Sequence, residues 1–105
     1  MNYNENQDQP LPTKVNGADM MNKIKDVAYT LLPNGRTTIC QLTLENDFTV
    51  EGKSTCVVKE EYNQALGEKY AYEDAVNKVW QLEGYLLAEK RYQSRWSINK
   101  TMPQV

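Results

Sequence analysis

A chain of 105 residues has room for one domain with a modest core. Twelve basic and fourteen acidic residues leave a formal charge of -2, which gives no long-range attraction for a polyanion; a nucleic-acid-binding regulator would lack its basic stripe. No run of eighteen apolar residues and no basic-then-apolar leader is present, so the expectation is a cytosolic protein that neither spans a membrane nor is secreted.

Residues 1–17 are polar, hold two prolines and a glycine, and offer little to bury, the composition of a disordered tail; residues 18–105 are expected to form a single α+β domain. A short helical turn over residues 18–25 would place Met20, Met21 and Ile24 on one side. Val27 to Leu32 and Thr37 to Leu44 read as two strands around an Asn34-Gly35 turn, a strong hairpin signal. A two-residue loop pairs Tyr29 with Cys40 and Val27 with Leu42, so Val27, Tyr29, Leu31, Cys40, Leu42 and Leu44 share the predicted core face.

Phe48 to about Cys56 makes a third strand. A three-residue loop pairs Leu44 with Phe48, Leu42 with Val50 and Cys40 with Gly52, and it predicts a bulged or left-handed residue at Asn46 or Asp47. That register sets Cys56 four residues, roughly 13 Å, beyond the partner of Cys40, too far for a disulfide. In a reducing cytosol both cysteines read as small apolar strand residues.

Glu60 to Leu66 reads as a short helix stopped by Gly67. From Glu68 to about Trp96 the apolar residues Ala71, Ala75, Val79, Leu82 and Leu86 recur at helical spacing. The sequence leaves open whether this is one long helix, with Gly84 admitting a close neighbour, or a helical hairpin broken there. A helix of this length outreaches a three-stranded meander, and its far end, with Tyr85, Tyr92 and Trp96, calls for a partner surface; self-association supplies one.

Catalytic templates are missing: there is no histidine, no Gly-rich phosphate loop, no nucleophile elbow and no paired-cysteine motif. The many carboxylates fall at polar helix positions, where a solvated face accounts for them. No enzyme, cofactor or metal site is expected. Arg91 and Arg95 stand one helical turn apart beside Tyr92 and Trp96, and guanidinium forks with stacking rings suit a phosphate carrying a base. The helix dipole alone also favours basic residues at a C-terminus. Arg36 in the hairpin turn is open to the same two readings.

Three segments, Asn34-Gly35-Arg36-Thr37-Thr38-Ile39-Cys40-Gln41-Leu42-Thr43-Leu44-Glu45-Asn46, Phe48-Thr49-Val50-Glu51-Gly52-Lys53-Ser54-Thr55-Cys56 and Trp80-Gln81-Leu82-Glu83-Gly84-Tyr85-Leu86-Leu87, resemble the phage gene-product 49/66 family of small tailed-phage proteins. The resemblance spans roughly residues 27–90. The chain departs from the family pattern at Asp47, where Gly is usual, at Tyr72, where Arg is usual, and at Gln81, where Pro is common; Tyr72 weakens any anion site that would use that position. The family brings no chemistry to transfer. In architecture and composition the chain is also similar to phage sponge proteins that inhibit Thoeris and CBASS immunity by sequestering cyclic nucleotide signals between protomers.

These resemblances, with the arginine-aromatic helix end, imply a counter-defence binder in the host cytoplasm: a homo-oligomer holding a nucleotide-derived second messenger. Arg36, Arg91 and Arg95 would take phosphate, and Trp80, Tyr92 or Trp96 the base. The alternative is a protein-directed inhibitor or adaptor that caps a host defence enzyme such as a nuclease or a CRISPR complex.

Overall fold

The computed structural model describes residues 10–98, with side chains through Arg95. A short helix α1 (Gly17–Asn22) leads into three strands, β1 (Ile24–Leu31), β2 (Thr37–Leu44) and β3 (Thr49–Thr55), then a 3-10 turn (Lys59–Glu61) and one long helix α2 (Gln64–Ile98). The sheet is an antiparallel meander in the order β1-β2-β3, so the predicted α+β class holds.

Both predicted registers are observed. Val27 pairs with Leu42 and Tyr29 with Cys40, while Leu42 pairs with Val50 and Cys40 with Gly52. Asp47 takes the left-handed conformation, at φ 70°, which absorbs the extra residue that keeps Val50 on the Leu42 face. The first turn differs from expectation. Pro33 has no N–H to close a two-residue loop, so the first ladder bond runs from Leu32 N to Thr37 O (2.8 Å), and Gly35 N donates to Leu32 O (2.9 Å). Asn34 Oδ1 accepts from the amides of Arg36 (2.9 Å) and Thr37 (3.0 Å), and Gly35 sits at φ 74°. The loop is four residues long, and the register survives because the pairing sum is the same.

The core joins Cys40, Leu42, Leu44 and Val50 of the sheet to Ala71, Ala75 and Val79 of α2, with Met20 of α1 at its edge. Small residues set how closely the layers approach. A Cβ on Gly52 would stand 2.2 Å from Ala75 N and 2.4 Å from Ala71 O, so the helix backbone rests directly on β3. Gly67 serves the same purpose one turn into α2, where a Cβ would meet Thr38 Oγ1 at 2.8 Å. The predicted helix stop at Gly67 is therefore overturned: α2 starts at Gln64, capped by Asn63, whose Oδ1 accepts from Leu66 N (3.0 Å) and whose C=O accepts from Gly67 N (2.8 Å). The expected helix over Glu60 to Leu66 is only the 3-10 turn and this first turn of α2.

Because Gly52 draws the helix towards β3, α2 lies across β3 and β2 and scarcely reaches β1. Val27, Tyr29 and Leu31, predicted as core, remain 41%, 39% and 48% exposed. Phe48 is exposed too. At Gly84 the helix neither breaks nor turns back, which removes the hairpin alternative.

Residues 10–16, grouped on composition with the tail, lie against the protein. Val15 packs on the core, and Asn16 caps α1 by accepting from Asp19 N (3.0 Å). Lys23 then pairs with Glu83 at 2.7 Å, tying the start of β1 to the middle of α2. The first nine residues of the expected tail fall outside the described residues.

Candidate functional site

Thirty-five helical residues reach about 52 Å, roughly twice the length of an eight-residue strand. The last third of α2 therefore projects past the sheet. Part of this projection is covered from within the chain: Arg91 Nη1 donates to the carbonyls of Leu11 (3.3 Å) and Pro12 (3.1 Å), holding the N-terminal segment alongside the helix. Residues on both sides enclose a solvent-open pocket of about 510 Å³.

Leu11, Val15 and Leu87 give the pocket an apolar wall, and Gly84 opens space on the helix surface, where a Cβ would meet nothing within 4 Å. Lys14, Arg91 and Arg95 supply three positive charges to the lining, which contains no carboxylate. Tyr92, Thr13 and Ser94 add a ring and hydroxyls. Lys14 and Arg95 make no ion pair or hydrogen bond among the described residues. In a protein of net charge -2 this is a local positive pole, suited to an anion bearing a flat or apolar group.

Of the six residues singled out from the sequence, the structure brings together Arg91, Tyr92 and Arg95. Arg36 stands at the opposite end of the fold, where its Nη1 donates to Cys56 O (3.2 Å) and its own carbonyl accepts from Cys56 N (2.8 Å); these bonds close the β2–β3 ladder. It shares no pocket with Arg91 within one chain. Trp80 lies eleven residues before Arg91, about 16 Å along the helix, and covers α1, with its ring 3.5 Å from where a Gly17 Cβ would stand. The Trp96 side chain falls outside the described residues. Lys14, Thr13 and Leu11 were missed because residues 1–17 were set aside on composition. Asn16 with Asp19 three residues on was the available signal, since an N-cap there fixes where the preceding residues leave the helix.

Two carboxylates read as solvated have specific partners. Glu83 accepts from Lys23, and Asp74 Oδ2 accepts from the main-chain N–H of Lys53 (2.9 Å). The thiols of Cys40 and Cys56 are free. Burial first, then the charge of Glu68, pushes the Cys40 thiol above its ordinary value, and burial likewise raises the Tyr29 phenol. Among the described residues no group of three or more His, Cys, Asp or Glu could hold a metal ion, and no helix is long and apolar enough to cross a membrane.

Fold and pocket together define a small α+β protein with a basic pocket that carries one tyrosine ring. The chain belongs to the phage protein (N4 Gp49/phage Sf6 gene 66) family, whose profile matches residues 15–91. That match takes in α1, the whole sheet and α2 as far as Arg91, but not Tyr92 or Arg95. No curated protein and no solved structure matches the chain.

Proposed function

We propose that this phage protein is a counter-defence binder that sequesters a nucleotide-derived immune second messenger in the host cytoplasm, acting as a homo-oligomer and without catalysis. The observation that carries the reading is the pocket at the α2 projection, where Lys14, Arg91 and Arg95 converge with Tyr92 and no acid opposes them. Its volume of about 510 Å³ falls within the range that small-ligand sites occupy. Two arginines one turn apart suit phosphate oxygens, and the tyrosine ring suits a base. Arg36 and Trp80 stand outside this pocket and join the ligand only if a second protomer presents them.

Isothermal calorimetry against cyclic dinucleotides and cyclic ADP-ribose isomers tests the reading. Binding to at least one is expected, and Arg95→Ala should weaken it about tenfold or more, as loss of one charge-assisted contact does. No heat with any of these compounds ends the proposal.

A further inference from the structure

The two edges of the sheet differ in a way that nothing in the pocket explains. In an antiparallel pair the residues bonded to the neighbour alternate with residues whose N–H and C=O point away. Cys56 N donates to Arg36 O, so on β3 the odd-numbered residues face the open edge. There Lys53 N–H is taken by the Asp74 carboxylate (2.9 Å) and Glu51 C=O by the Lys78 ammonium (2.7 Å). Asp74 and Lys78 are themselves 3.8 Å apart on α2. Side chains of the helix thus close that edge, a known protection against strand addition.

Among the described residues the β1 edge has no such cover. Leu32 N donates to Thr37 O, which sets even-numbered residues towards β2 and aims the N–H and C=O of Val27, Tyr29 and Leu31 outwards. None of these groups meets a partner among the described residues. The side chains of the same three residues lie on the α2 side of the sheet, opposite buried Leu42, Cys40 and Thr38, and they are the apolar row that α2 leaves exposed. Open backbone groups and an unburied apolar row coincide on one strand.

From this we infer that β1 docks antiparallel against β1 of a second copy, making a continuous six-stranded sheet with both α2 helices on one face. The occupant follows from self-complementarity. Centred on Tyr29, a two-fold axis sets Tyr29 against Tyr29 of the other copy and Val27 against Leu31, satisfying every outward group of the three residues with about six backbone bonds. The aligned side chains are aromatic or branched, the pairs that strands favour across a ladder. Like charges are kept apart, since Asp26 then faces Leu32. The ladder ends where β1 itself is irregular: Lys25 is skipped in the β1–β2 register and turns to Asp47 at 2.6 Å. The inference concerns how protomers join and does not depend on what fills the pocket.

Sedimentation velocity on the intact protein, with residue-resolved amide exchange, tests it. The expected result is a dimer in which the amides of Val27, Tyr29 and Leu31 are protected, and lose that protection on dilution while Lys53 keeps its own. Tyr29→Lys sets two ammonium groups against each other at the axis and should weaken the dimer about tenfold or more. Val27→Pro removes an outward N–H without touching the bonds to β2 and should do the same. Circular dichroism should show both variants folded; if either is not, the amide exchange of the unaltered protein decides. A monomer at every concentration, a dimer indifferent to both substitutions, or a dimer whose β1 amides exchange freely overturns the inference. So does protection of those amides only when another protein is added. Ligand heat retained by monomeric Tyr29→Lys separates this outcome from that of the ligand reading.

Discussion

At one margin of the sheet Asp74 and Lys78 hold the outward N–H of Lys53 and C=O of Glu51, whereas at the other the matching groups of Val27, Tyr29 and Leu31 meet nothing among the described residues. Both conditions have one origin. Gly52 lets the backbone of α2 settle onto β3 at Ala71 and Ala75, so helix side chains overhang that margin and fall short of β1. A single missing Cβ thereby decides which strand is sealed and which is left to pair.

Gly52→Ala breaks this arrangement most severely. The added methyl would lie within 2.4 Å of two backbone atoms of α2, so the helix must lift from β3 and pull Asp74 and Lys78 off the edge. A loss of about 3 kcal/mol or more is expected in urea unfolding; a change under about 0.5 kcal/mol would mean the close approach is not what seats the helix. Asp74→Ala leaves the packing and removes only the clamp. Since that side chain is 43% exposed, a cost near 1 kcal/mol is expected, together with faster exchange of the Lys53 amide. An unchanged amide would show the clamp to be idle.

The smallest effect concerns the middle strand. Cys40 sits between Tyr29 of the bare strand and Gly52 of the sealed one. Its thiol is held above the ordinary range by burial and by Glu68, so as pH rises the unfolded chain loses that proton first, and stability should fall only past the usual thiol pKa. Near neutral pH an alkylating reagent should modify partly exposed Cys56 well before buried Cys40. Equal rates would show that water reaches the core through the uncovered β1 side.

Hairpin register, the left-handed residue at Asp47 and the helical stripe were legible because each is fixed by residues near in sequence: the Asn34-Gly35 pair, the alternation of Leu42 and Leu44, the spacing of Ala71, Ala75 and Val79. Where α2 would lie across the sheet was not legible. Val27, Tyr29 and Leu31 alternate as core residues do, and only the contact of Gly52 with a helix some twenty residues away moves the cover to the other side. Gly67 misled for a related reason, since a glycine needed for room against Thr38 looks in sequence like a helix stop. Half of the site was legible as an arginine pair with a tyrosine. Its other wall lies 79 and 80 residues away, in a segment whose composition gives no hint of docking.

Arg91 already lends its Nη1 to two main-chain oxygens, those of Leu11 and Pro12. An anion taken up there as proposed would either share that guanidinium with the N-terminal segment or strip the segment away. Uptake of the proposed ligand and the docking of the N-terminal segment on Arg91 would then be thermodynamically linked, so a guest that strengthens that docking would be bound more firmly where the segment is docked, and a guest that displaces it less firmly.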